Sequence, residues 1–119
     1  MRFWLTLVLV GIGVACWVAP GIAAPASRGG RVTADEPQYL LTALSLGEDF
    51  NLDISDERAA NRYRSFHEAE LPVQEQRWAD GRAVSPHDPL MPAILALPMR
   101  AGGWIGAKLV LAVLAGALA

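Results

Sequence analysis

The sequence is short of the residues from which most soluble active sites and nucleic-acid surfaces are built. Its one cysteine, Cys16, lies inside an apolar run, which excludes a disulfide framework, a Cys-x-x-Cys redox motif and a thiolate metal cluster. Its two histidines, His67 and His87, lack the close spacing of a histidine zinc site. It has one lysine, Lys108, and its nine arginines face 12 acidic residues for a formal net charge of −2. That balance excludes a basic nucleic-acid binder. Acidic residues are missing from both ends, because all 12 lie between Asp35 and Asp88. Before Ser27 and after Met99 the charged residues are Arg2, Arg100 and Lys108.

What is present is an apolar–polar–apolar partition of 119 residues, 53% of them hydrophobic. A soluble domain mixes these classes along its length, whereas a membrane protein separates them. The first apolar run, Phe3 to Ala24, is long enough for one transmembrane helix, with Trp4 and Trp17 near its two ends. It also reads as a cleaved signal, with Arg2 as the charged start, Phe3 to Ala15 as the apolar core and a small-residue zone at Gly21–Ala24 or Ala24–Ala26. The second apolar run favours a retained anchor. It starts near Leu90, where Pro92 and Pro98 predict a short, kinked or interfacial segment over Leu90–Met99. Ala101 to Ala119 then predicts a second span, with Trp104 as interfacial anchor and Lys108 either snorkelling or facing a protein interior. The run ends at Ala119 with no polar flank, so the chain is expected to be the opening part of a longer polypeptide.

The expected fold is therefore mainly α: a membrane protein with one transmembrane helix at 3–24 and another within 90–119, the second incomplete. They flank a polar, partly helical loop at 25–89. Within the loop, Thr33-Ala34-Asp35-Glu36-Pro37-Gln38 predicts a helix start, with Asp35 as cap, Pro37 in the first turn and Gln38 completing a capping box. Leu40, Leu41, Ala43 and Leu44 recur at helical spacing and Gly47 is a natural stop, giving a juxtamembrane helix over about 36–46 that lies with one apolar side down. Asp56 to Glu70 reads as charged and helical, Pro72 to Asp80 as extended or irregular. Ser85-Pro86-His87-Asp88-Pro89 reads as a rigid loop leading back to the membrane.

Three features carry chemistry. Asp35 and Glu36 at a helix start have the character of a general base or of ligands for a divalent cation; the plainer reading is an N-cap. His87, held between prolines, suits a proton shuttle or a phosphate contact; the plainer reading is a turn histidine. Arg58, Arg62 and Arg64, with Arg28 and Arg31, suit phosphate or anionic headgroups; the plainer reading is a solvated face paired with Asp53, Asp56, Glu57 and Glu68.

The order of these features resembles a family. A first span, then Asp35-Glu36-Pro37-Gln38-Tyr39-Leu40-Leu41-Thr42-Ala43-Leu44-Ser45-Leu46, then a polar loop closing in Ser85-Pro86-His87-Asp88-Pro89-Leu90-Met91-Pro92 is similar to the amino-terminal part of the multispanning C-type (GT-C) glycosyltransferases. The similar branch is that of protein O-mannosyltransferases and lipid A aminoarabinose transferases. The family has a His/Lys-Pro-Pro-Leu-type stretch where this chain reads His87-Asp88-Pro89-Leu90. The resemblance implies transfer of a sugar from a polyprenyl-phosphate donor to an extracytoplasmic acceptor. Asp35 would be the catalytic acid/base or help to hold a metal, Glu36 would support it, and His87 would lie near the donor phosphate. It also implies a multi-pass protein of the cell membrane with the polar loop extracytoplasmic, whereas Arg28 and Arg31 outnumbering Arg2 would place that loop in the cytoplasm. Two spans are too few for a donor groove, so the 119-residue chain is not expected to be self-sufficient and would need further transmembrane helices or a partner subunit. The alternative is a small membrane-anchored interaction or accessory protein with an acidic loop and no catalysis. A secreted module released near Ala24 or Ala26 is a third reading.

Overall fold

The computed structural model describes residues 2–24 and 34–118. It is mainly helical, and two of its helical stretches, Phe3–Ala23 and Leu90–Leu118, are long and apolar enough to cross a membrane. The first comprises α1 (Arg2–Val18) and a 3₁₀ turn over Ala19–Ala23 whose second residue is Pro20, where the missing N–H is no loss in a first turn. None of its apolar side chains is buried within the protein, as suits a helix solvated by lipid. The cleavage zone at Ala24–Ala26 and the arginines Arg28 and Arg31 fall wholly or partly outside the described residues.

The central element is α2 (Glu36–Glu48). Between those two glutamates the helix carries no charge, and Leu40, Leu41, Ala43 and Leu44 are buried together with Gln38, Thr42 and Ser45. It is thus enclosed on nearly every side and does not lie flat with one face down, as the leucine spacing predicts. Most of its buried polar groups are bonded inward: Gln38 Nε2 donates to Pro72 O at 3.2 Å, Thr42 Oγ1 to Gln38 O at 2.9 Å and Ser45 Oγ to Asp53 O at 2.8 Å, while Gln38 Oε1 has no partner. Gly47 does not stop the helix but lies within it. A Cβ there would stand 2.6 Å from Ala96 O, so the glycine permits close packing against the last long helix. Arg100 Nη1 donates to Gly47 O across the same contact at 3.2 Å.

The polar loop forms a small folded layer against α2. It consists of α3 (Ser55–Ala59), a 3₁₀ turn over Arg62–Ser65, and an antiparallel hairpin of β1 (Gln76–Arg77) and β2 (Ala83–Val84). The continuous charged helix predicted over Asp56–Glu70 is interrupted at Asn61, whose φ of 55° lies in the left-handed region. Ile54, Tyr63, Phe66, Leu71 and Ala83 close a common core with Leu40, Leu41 and Leu44. Asp53 ties the layer together, its Oδ1 accepting the N–H groups of Ser55 at 3.0 Å and Ala83 at 2.9 Å.

The second membrane-length stretch is α4 (Leu90–Leu118), which starts where Asp88 Oδ1 accepts the Leu90 N–H at 2.8 Å. Asp88 therefore acts as a helix-start residue. The kink is not at Pro92 or Pro98 but at Gly103, with φ 59° and ψ −155°. Pro92 lies in the first turn, where no N–H is needed, whereas only glycine readily adopts the Gly103 conformation. In the arm before the kink, Pro92, Leu95 and Met99 are buried, while Leu90, Met91, Ile94 and Leu97 form an exposed apolar stripe, the amphipathic form expected of an interfacial segment.

The arm after the kink runs antiparallel to α1. A Cβ on Gly11 would stand 2.6 Å from Gly116 O, and one on Gly116 would meet Gly11 O and Ala15 Cβ. Such small-residue contacts let helix backbones approach in lipid. The helix pair and the loop layer together give an elongated molecule of 59 × 30 × 22 Å.

Candidate functional site

Asp35 occupies the N-cap position of α2, and its carbonyl accepts the N–H groups of Gln38 at 3.0 Å and Tyr39 at 3.2 Å. Its carboxylate makes no cap hydrogen bond. The predicted capping box is absent for two reasons. At φ −88° and ψ −9° Asp35 is helical, not extended as a side-chain cap requires, and Gln38 is turned inward onto Pro72. The helix therefore leaves the carboxylate available, with the side chain 56% exposed.

His87 stands opposite. Its Nε2 is 3.9 Å from Asp35 Oδ1 and 3.2 Å from Gln74 Oε1, and its ring lies 4.9 Å from that of Tyr39 at an interplanar angle of 32°. With the proton on Nε2 the imidazole donates to Gln74. With both nitrogens protonated it also attracts the Asp35 carboxylate. The loop around Pro86 and Pro89 thus brings together two residues 52 positions apart in the chain.

Glu36 faces elsewhere. Its Oε1 is 3.3 Å from Lys108 Nζ, and that ammonium lies 5.6 Å from the Trp104 ring centroid. Glu36 thus makes an ion pair with α4. Lys108 faces protein, one of its two predicted dispositions, and an ionisable group within a membrane-length helix is normally held by such a partner. Next to this pair is an apolar groove of about 270 Å³ between α1 and α4, lined by Val18, Ile22, Leu111, Ala112 and Ala115 with Glu36 and Lys108 as its polar members.

The arrangement offers a proton acceptor at Asp35, a titratable imidazole beside it, and an ammonium next to an apolar channel. Among the described residues, Asp35, Glu36 and His87 do not form a group of three metal-ligating side chains; that geometry occurs at Asp49, Asp56 and Glu57. Arg58, Arg62 and Arg64 are committed within the loop. Arg58 Nε pairs with Glu75 at 3.1 Å, Arg62 Nη2 with Glu48 at 2.9 Å, and Arg64 Nη1 donates to Glu68 O at 2.9 Å. These partners are not the predicted carboxylates, since Arg64 reaches the backbone carbonyl of Glu68 and not its side chain, and they hold loop segments together.

Sequence reasoning missed Tyr39 and Gln74, and did not place Lys108 in the site. Lys108 had a signal, as the lone charge in a long apolar run; Gln74 had none. Against family models, curated proteins and solved structures alike, the chain finds no match.

Proposed function

We propose that the chain forms the amino-terminal part of a membrane glycosyltransferase of the C type, which transfers a sugar from a polyprenyl-phosphate donor to an extracytoplasmic acceptor. The observation that carries this reading is the Asp35–His87 pair at 3.9 Å, set on the helix whose first residue, Glu36, meets Lys108 at an apolar groove. The prenyl chain would lie in the groove between α1 and α4, with its phosphate drawn toward Lys108 and a protonated His87. Asp35 would take the proton of the acceptor nucleophile as that nucleophile attacks the sugar C1. The bond from C1 to the phosphate oxygen breaks, and polyprenyl phosphate leaves with the charge that the two cations stabilise. Glu36 holds Lys108 at the boundary of the membrane. The donor groove of such an enzyme requires more helices than two, so the activity belongs to an assembly in which this chain is one part.

The test is sugar transfer from a polyprenyl-phosphate donor by the protein as extracted from its native membrane. Asp35→Asn is expected to lower transfer by about 10²- to 10⁴-fold, the usual worth of a positioned acid/base, with donor binding retained. Lys108→Met is expected to weaken donor binding instead. Full transfer by Asp35→Asn would overturn Asp35 as the acid/base, and absence of transfer by the unsubstituted protein would overturn the enzymatic reading in favour of an anchored accessory protein.

A further inference from the structure

The turn between α2 and α3 gathers three carboxylates. Asp49 is the C-cap of α2, while Asp56 and Glu57 lie in the first turn of α3. One carboxylate oxygen from each lies within 4.8 Å of the other two. Asp49 and Asp56 are exposed, but Glu57 is 2% exposed, and both of its carboxylate oxygens are buried without a hydrogen-bond partner. A buried carboxylate without donors is costly, and two further carboxylates at this range make it more so. The nearby guanidinium groups are directed elsewhere. Arg62 is close enough to feel Glu57 and Asp49, yet its Nη2 is bonded to Glu48 Oε1 at 2.9 Å. Arg58 pairs through Nε with Glu75 at 3.1 Å, while its Nη1 is buried without a hydrogen-bond partner.

We propose that Asp49, Asp56 and Glu57 form a binding site for a divalent cation, and that the cation is Ca²⁺. The donor set is all oxygen, with neither nitrogen nor sulfur, which selects a hard cation over zinc. Calcium–oxygen bonds of about 2.3–2.6 Å allow two ligands on opposite sides of one ion to stand roughly 4.6–5.2 Å apart, whereas magnesium limits them to roughly 4.2 Å. The three oxygens lie within 4.8 Å of one another, a loose grouping that suits the longer bonds and irregular shell of Ca²⁺ better than the tight octahedron of Mg²⁺. Glu57 supplies the inner ligand, and the exposed Asp49 and Asp56 leave room for water to complete the shell. The ion would fasten the end of α2 to the loop layer, at the opposite end of the helix from Asp35. This site stands independently of the transferase reading.

The test is a CaCl₂ titration of the full chain in detergent micelles after EDTA treatment, followed by heat of binding and by unfolding temperature. MgCl₂ and NaCl at matched ionic strength serve as controls. Saturable binding of one Ca²⁺ per chain with a rise in Tm is expected, with weaker binding of Mg²⁺. Glu57→Gln is expected to weaken Ca²⁺ binding by more than about tenfold, since ligand charge sets affinity in such sites. Asp49→Asn, at an exposed position, is expected to do the same without lowering the ion-free Tm, and it decides the matter if Glu57→Gln fails to fold. Absence of saturable binding, an unchanged midpoint in Asp49→Asn, or an equal response to MgCl₂ would overturn the proposal.

Discussion

At the scale of the residue, two carboxylates of the loop titrate in opposite directions. Burial pushes the Glu57 carboxyl up from 4.5 to about 8, with the neighbouring Asp56 adding to the effect. The folded chain then holds this proton to a higher pH than the unfolded chain does. Its contribution to stability is full below about pH 4.5 and is lost as pH rises through about 8. Denaturant unfolding in EDTA between pH 5 and 9 is expected to show that decline, and Glu57→Gln, which cannot ionise, is expected to flatten it. An equal slope in the variant would refute the assignment. For Asp53, burial also pushes upward, but the Ala83 N–H and the hydroxyl and N–H of Ser55 outweigh it and hold the carboxyl below its ordinary value. Its contribution is present above the usual carboxylate range and is lost on acidification. Neither role was legible in the sequence, because each depends on a partner brought in by a turn. Adjacency misled in the other direction at Asp35 and Glu36. Consecutive residues on a helix point about 100° apart, so neighbours in the chain face different partners, here His87 and Lys108.

At the scale of the element, apolar runs and leucine spacing revealed α1 and α2, because burial or lipid contact acts on every turn of such helices. What surrounds α2 was hidden. Its enclosure depends on Phe66 and Leu71 from the loop and Leu95 from α4, which no local pattern links to it. The glycines show the same limit. Gly47 after a leucine series looks like a stop, yet its purpose is the approach of Ala96 O, and Gly103 rather than either proline bends α4. Replacing glycine by alanine inside a helix ordinarily gains about 1 kcal/mol. Gly47→Ala is expected to reverse that sign and cost about 1–3 kcal/mol, because the new Cβ meets a backbone carbonyl that cannot swing aside. Gly13→Ala in α1, where a Cβ would meet nothing within 4 Å, is the control and is expected to cost nothing. Unfolding of both variants in micelles checks the pair, and a stabilised Gly47→Ala would show that the α2–α4 contact yields.

At the scale of the whole molecule, an antiparallel pair of membrane-length helices carries a polar layer, and the candidate site sits where the two meet. The partition was legible in the sequence because charge is confined to one stretch of chain. The meeting of Asp35 with His87 was not legible in the sequence, since nothing local joins residues so distant in the chain. The groove lies between α1 and α4, bordered by Glu36 from the start of α2 and by Lys108. On the proposed reading, a donor with a long apolar tail would enter it by diffusing in the plane of the bilayer. Its supply is a surface density. Occupancy is expected to track the mole fraction of that lipid in the membrane and to fall when inert phospholipid is added at constant total ligand. Saturation curves measured at two lipid-to-protein ratios should then superimpose only when plotted against mole fraction.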